Sequence, residues 1–422
     1  MHREPFVSIV IPTRNRAHLL RYALQSALEQ TFDDVEIIVS DNCSQDETKS
    51  VVQDVGAGRV RYVRPERVLA MPDHWEFALE QARGRFVTYL CDDDAWAPDA
   101  LGRVSQLLAS SAGLLVAINS GIYYGANWLD PDFRNIATFV PYTGEVREHE
   151  SRETLRHLYA SSRVIYEAPR MLNSFCHRET IMRVRAATGR IFLLCPDYSF
   201  PSFMLTEIPT WLYIDEPLHL QGVFAEGIGS THFYNRGEPA REFVREFDDS
   251  KLLRHVPLQA PVVSNYIAET LLMSKEKLAS KLGGYTIDWE QYFINCWSDI
   301  MIHGKNGVDI ADDKEEFFRV LAQQPVGIRE GVRRAIHVPG SQNSLKNSVR
   351  KLINHSTILT RFEYLVRQRN NGGVPLTVNG GAPLTVQGAV AGFNNILECA
   401  RQLPALAQSP NLSRRGASVS SQ

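Results

Sequence analysis

The chain has 422 residues, 44% of them hydrophobic and 22% charged, with a formal net charge of -3. That length exceeds what one compact core usually holds, so two domains are expected, and the near-neutral balance gives no case for a nucleic-acid partner. No stretch approaches the roughly 20 apolar residues that a membrane span requires. Met1 to Pro5 lead straight into an apolar run with no signal-peptide pattern. Cysteines 43, 91, 176, 195, 296 and 399 are scattered without Cys-x-x-Cys or metal-site spacing, which suits a reducing compartment. A cytoplasmic protein is expected.

The first hundred residues alternate strand and helix signals. Phe6 to Ile11 is a β-branched run ending at Pro12. Ala17 to Gln30 carries Leu19, Leu20, Ala23, Leu24, Ala27 and Leu28 at helical spacing, with Asn15 read as its N-cap. Val35 to Val39 is a second strand, after which Ser44 and Glu47 read as a capping box before a short helix. Val60 to Val63 is a third strand. Asp73 then reads as the cap of a helix holding Trp75, Ala78, Leu79 and Ala82, ended by Gly84. Phe86 to Leu90 is a fourth strand, running directly into Asp92, Asp93 and Asp94.

This order implies an α/β fold with a mostly parallel sheet covered by helices, and such sheets bind ligands at the carboxyl ends of their strands. Polar clusters fall there: Thr13, Arg14 and Asn15 after the first strand, Asp41 and Asn42 after the second, and the three aspartates after the fourth. No glycine-rich phosphate motif occurs. A carboxylate-held divalent cation, Mn²⁺ or Mg²⁺, is another way to neutralise phosphate, and it needs only one or two protein carboxylates. The mutual repulsion of adjacent aspartates is then tolerated because a cation sits against them.

The stretches VSIVIPTRNRAHLLRYALQSALEQTFDDVEIIVSDNCSQDET and DHWEFALEQARGRFVTYLCDDDAW, followed by Pro98-Asp99-Ala100-Leu101, resemble the family-2 glycosyltransferases over about the first 105 residues. The resemblance implies a GT-A fold and inverting transfer of a sugar from a nucleotide diphosphate, with a UDP-sugar favoured. By it, Pro12, Thr13 and Arg14 line the nucleotide site with Asp41 and Asn42, and Asp41 reads the base or ribose. Asp92 and Asp94 form the Asp-x-Asp metal pair, and Asp92 also borders the donor. Asp93 is assigned to the donor side rather than the metal, since adjacent side chains on an extended segment face opposite ways. Many members carry an acidic residue where this chain has Cys91, so the register of the cluster is open by one residue. Cys91 itself reads as a small buried apolar residue, and Trp75 and Trp96 as packing residues.

Further along, Leu114 to Ile118 is a buried strand and Gly121 to Trp128 the start of a hairpin or loop. Leu193 to Gly222 resembles the family's second half, where Asp197 matches the catalytic base, with Glu207, Asp215 and Glu226 as rivals; an N-cap is the competing use of Asp197. His219 and His232 follow the Glu-Pro-Leu element without clean alignment, and His232 reads as a surface histidine. From residue 233 the apolar spacing turns helical. The expected domains are a catalytic domain over 1–232, a helical accessory region over 233–370, and a linker and disordered tail over 371–422, in which Pro-Leu-Thr-Val occurs twice. Residues 329–369 hold nine Lys/Arg against two Glu. A helix docked on its own domain is the favoured reading. An amphipathic face resting on the inner face of the cell membrane beside a lipid-linked acceptor is the alternative.

The leading function is therefore metal-dependent sugar transfer to a glycan, polysaccharide or glycolipid hydroxyl. A catalytically silent sugar-nucleotide or glycan-binding protein is one alternative. A sugar-phosphate nucleotidyltransferase is the other, although the Pro-Thr-Arg-Asn-Arg loop lacks the glycines such enzymes use.

Overall fold

A computed structural model describes residues 4–110, 114–139, 142–161, 168–247, 252–336, 384–387 and 393–407. Its first half follows the apolar pattern closely. Strand β1 (Val7–Thr13) lies between β2 (Val35–Asp41) and β4 (Phe86–Tyr89), all parallel, with β3 (Val60–Val63) outside β2. Strands buried on both faces read as continuous apolar runs because neither face meets water. Side-chain alternation divides β1 between two cores. Val7, Ile9 and Ile11 pack on one face with helices α1 (Ala17–Leu28), α2 (Thr48–Gly56) and α4 (Ala100–Leu108). Val10 packs on the other with α3 (Met71–Glu80). Pro12 is accommodated because β4 pairs with β1 only as far as Val10.

The remaining strands make the sheet mixed. Among the described residues it has eleven strands, whose main path runs β11-β7-β6-β9-β4-β1-β2-β3. Here β6 is Leu115–Tyr124, β7 Ile136–Phe139, β9 Ser174–His177 and β11 Leu384–Gln387. Strand β9 joins β4 and β6 antiparallel, whereas β10 (Thr210–Val223) runs parallel to β6. The parallel arrangement therefore holds for β1 to β4, and antiparallel pairings complete the other half. Gly121 to Tyr124 end β6, and the loop that starts at Gly125 leads into β7, which returns antiparallel on Ile122 to Tyr124. This stretch thus opens a long hairpin connection, while β10 pairs the other edge of β6.

Local capping gives way to tertiary contacts at several helix starts. Asn15 adopts a positive φ of 54°; its backbone N–H donates to Ser44 Oγ at 2.9 Å and its Oδ1 accepts from Gln45 N–H at 2.8 Å. Asn15 thus ties two strand-end loops together instead of capping α1, and the Ser44 hydroxyl is used in that contact rather than in a capping box. Asp73 falls inside the first turn of α3, after the N-cap Ala70, and pairs with Arg190.

Helices beyond residue 255 join the core of α3. Leu258, Leu271, Tyr292, Ile300 and Phe317 share one buried cluster with Val10, Trp75 and Tyr89. At the other face, Phe393, Ile396, Cys399, Ala400 and Leu403 pack into the cluster of α1. Residues 384–387, containing most of the second Pro-Leu-Thr-Val copy, pair antiparallel with β7. Part of the segment read as linker and tail is thus sheet edge and core helix. Of the basic stretch, Val326–Ile336 is a helix whose Val332 is fully buried. Residues 337–369, the first Pro-Leu-Thr-Val copy and the tail from Gln408 lie outside the described residues. Among the described residues, no helix is long and apolar enough to cross a membrane.

Candidate active site

The carboxyl ends of β1, β2 and β4 lie side by side because these strands are parallel neighbours in one register. Asp41 closes β2 opposite Thr13 and is fully buried. Its Oδ1 accepts from Ser44 N–H at 2.8 Å, and its Oδ2 accepts from Tyr62 OH and, at 2.9 Å, from Arg64. Asn42 pairs with both backbone groups of Leu69, at 2.8 and 2.9 Å, pinning the loop before α3. His74 on α3 contacts Ser40 Oγ at 2.9 Å. Burial lowers its pKa to about 4, so the imidazole is neutral at pH 7.

The aspartates do not lie on an extended segment. Asp94 N–H donates to Cys91 C=O at 3.1 Å, closing a turn, and the turn removes the alternation expected of a strand. Asp92 is directed to Thr13 Oγ1 at 2.7 Å and to Arg16 at 2.9 Å. Arg16 also reaches Asp93 Oδ2 at 3.1 Å and the Glu226 carbonyl at 2.8 Å. Burial alone would lower the Arg16 pKa, but Asp92 and Asp93 outweigh it and raise it. The cation seen against the acidic run is thus Arg16, only two residues beyond the Arg14 that the sequence singles out. Its own position gives no local signal, because the contact joins residues 76 apart.

Asp94 is held from the other side. His219 Nε2 on β10 lies 3.1 Å from its Oδ2, and Gly222 N–H donates to its Oδ1 at 2.8 Å. His219 is buried and its Nδ1 lies 2.8 Å from Ser120 Oγ. Gly222 is required by close approach, since a Cβ there would meet the Asp93 carbonyl oxygen at 1.8 Å. Gly222→Ala is expected to displace the turn and cost about 1–3 kcal/mol, as overpacking typically does, measured by urea denaturation.

Cys91, Asp93 and Asp94 each offer one ligand atom, and these atoms lie within 4.8 Å of one another. Asp92, by contrast, faces Thr13 and Arg16. Cys91 is half-buried at the edge of the core rather than inside it.

Asp197 sits in the first turn of α7 (Pro196–Met204), with Cys195 as N-cap. Its Oδ1 is buried without a hydrogen-bond partner. Burial raises its pKa; Arg170 opposes that shift, Asp94 adds to it and His219 opposes it, which places Asp197 in the electrostatic field of the cluster. The rival acids are engaged elsewhere: Glu207 with Lys281, Asp215 with Asn119, Thr143 and Arg147, and Glu226 with His18 and Asn127. His232 is buried against Phe243 and Tyr266 rather than exposed, and its pKa falls to about 4 through burial. Trp75 stacks on Tyr89 with ring centroids 4.9 Å apart, and Trp96 is buried.

The segment after β10 closes over this edge. Arg14 pairs with Glu242 at 3.0 Å and Glu246 at 2.7 Å, at the end of α9 (Glu238–Arg245).

A helix-covered sheet with buried acids gathered at its parallel strand ends defines an α/β ligand-binding domain of the open-sheet class. Residues 8–165 match the family model described as Glycosyl transferase family 2. The GalNAc(5)-diNAcBac-PP-undecaprenol β-1,3-glucosyltransferase of Campylobacter jejuni is 42% identical over 105 residues, covering 24% of this chain and 34% of that protein. The UDP-Glc:α-D-GlcNAc-diphosphoundecaprenol β-1,3-glucosyltransferase WfgD of Escherichia coli is 29% identical over 110 residues, covering 26% and 44%. The chain thus spans less than half the length of these relatives. The solved structure of S. aureus TarS 1–349 with UDP-GlcNAc aligns with a TM-score of 0.42 and 12% identity, covering 83% of this chain and 81% of that one.

Proposed function

We propose that the protein is an inverting glycosyltransferase that moves a sugar from a UDP-sugar, with a divalent cation, to a hydroxyl of a lipid-linked glycan acceptor. The observation that carries this is the grouping of Asp93 and Asp94 at the strand-end edge of the region matching the family-2 model, with Asp197, whose buried Oδ1 has no partner, in the electrostatic field of Asp94. The lipid-linked acceptor and the uridine donor are suggested by the names of the two bacterial relatives. Hard carboxylate oxygens suit Mn²⁺ or Mg²⁺, and the orphaned carboxylate atom fits a site that expects a further charge.

In this reading Asp93 and Asp94 hold the cation, and Asp92 is a positioning residue, fixed by Thr13 and Arg16 at the donor side. Thr13, Arg14, Asp41 and Asn42 shape the nucleotide site, while Pro12 lies buried within β1 as its support. His219 and the Gly222 amide orient Asp94. A bound divalent cation stabilises the negative charge on a departing diphosphate without needing a proton. Asp197 accepts the proton of the attacking hydroxyl as the new bond forms. One base suffices for a single in-line displacement with inversion, without the paired nucleophile of retaining glycosidases.

The test is thermal stabilisation by UDP, GDP, CDP and dTDP, each with Mn²⁺ and with EDTA. A ligand at one hundred times its Kd stabilises the folded state by about 2.7 kcal/mol. A Mn²⁺-dependent rise with UDP is the expected outcome. No shift with any nucleotide would overturn the reading, and a shift without turnover on any acceptor would favour a silent binding protein.

A further inference from the structure

We infer that Glu242 and Glu246 form an acid clasp on Arg14 that competes with the phosphates of the nucleotide donor, so that donor entry releases α9 from the site. The inference rests on the donor reading above and adds a regulation of that site. Arg14 follows Thr13 at the carboxyl end of β1, and its two terminal nitrogens are taken by different acids. One lies 3.0 Å from Glu242 Oε1 and the other 2.7 Å from Glu246 Oε1. A guanidinium presents the same fork to phosphate oxygens, so the two acids occupy the donors that a phosphate would use.

Two further observations mark Glu246 as a stand-in for an external anion. Its Oε2 accepts the Met71 N–H at 3.3 Å, at the start of α3. A helix N-terminus favours negative charge, so Glu246 bridges two groups at this edge that attract phosphate. Glu246 is also the C-cap of its own helix, where a negative charge opposes the helix dipole. Its position therefore serves Arg14 and α3 at the expense of α9.

The clasp is built to let go. The Arg14 and Glu242 side chains are 30% and 51% exposed, and ion pairs this open to water are weak. The chain reaches α9 from β10 through residues 224–237, and Glu226 pins that path. Its carbonyl accepts from Arg16 at 2.8 Å, and its carboxylate lies 2.8 Å from His18 Nε2. Arg16 is itself bound to Asp92 and Asp93, which makes this the firmer end of the strap. A nucleotide diphosphate offers Arg14 two phosphoryl groups, so the exchange keeps the guanidinium paired while α9 moves off.

Calorimetry with UDP and Mn²⁺ on the full chain tests the competition. Glu242→Gln combined with Glu246→Gln keeps size and hydrogen bonding and removes the competing charge. The double variant should bind UDP about two- to thirtyfold more tightly than wild type, the range expected of two such pairs. Glu242→Gln alone, at the more exposed position, should show part of the gain. Glu238 pairs instead with Arg241 and Arg245, so Glu238→Gln should leave the Kd unchanged. Hydrogen exchange over residues 238–247 should rise when UDP binds wild type, and should already be raised without UDP in the double variant. An unchanged or weaker affinity in the double variant would overturn the clasp and leave the donor reading standing, as would slower exchange over 238–247 on UDP binding. Absence of UDP binding by wild type and variants alike would overturn both. Circular dichroism of the variants checks that the fold is retained.

Discussion

Asp197→Asn is expected to lower kcat by about 10²–10⁴-fold, the range over which a positioned general base acts, while UDP binding measured by calorimetry stays unchanged. The substitution keeps the shape of the side chain and removes its ability to accept a proton. A structural role would instead appear as a lower melting temperature with activity retained at permissive temperatures. The acid limb of the pH profile supplies a second check. Burial raises the Asp197 pKa, Arg170 opposes that, Asp94 adds to it and His219 opposes it. A base works deprotonated, so activity should be full at higher pH and fall as pH drops through a value above the usual aspartate pKa of about 3.9. In Asp197→Asn that limb should vanish from the residual rate.

Asp94→Asn should abolish the Mn²⁺-dependent part of nucleotide stabilisation and lower activity by about 10²-fold or more, the scale reported for losing one preorganised electrostatic group. The amide keeps the size of the carboxylate near the Gly222 amide and His219 but loses its charge. Asp94→Ala differs informatively, since it leaves His219 Nε2 and the Gly222 N–H without their acceptor. An unsatisfied buried group costs about 1–3 kcal/mol, so the alanine variant should be less stable than the asparagine one while both lose metal-dependent binding. Metal dependence retained in both variants would rule out Asp94 as a ligand.

The legible part of this chain is the part in which local pattern and tertiary structure agree. The runs Val7 to Ile11 and Val35 to Val39 read as buried strands because continuous apolar sequence has few other homes. The strand-end acids were visible for the same reason, since charge directly after a buried strand is unusual. What stayed hidden depends on pairs distant in sequence. Arg16 looks like any solvated helix-start arginine until β4 brings Asp92 and Asp93 beneath it. His219 and Gly222 acquire meaning only from the register of β10 against β6, which local sequence does not specify. The alternation premise used for Asp93 does not hold, because a turn at residues 91 to 94 replaces the extended chain. The terminal helix carried a usable signal, with Ile396, Leu397, Ala400 and Leu403 at helical spacing, but it was obscured by the polar, glycine-rich stretch before it.

Strand β11 comes from near the end of the chain, yet it pairs with β7, formed by residues 136 to 139. Synthesis proceeds from the N-terminus at roughly 5–20 residues per second, so on the order of tens of seconds separate the two strands at the ribosome. The β1 to β4 half and its acid cluster have all their partner strands early, whereas β7 must wait with an open edge. Unpaired edges invite association with other chains. Among the described residues, the last strand in chain order is therefore the one that covers the edge, so the sheet closes only after the segments between β7 and β11 have been made.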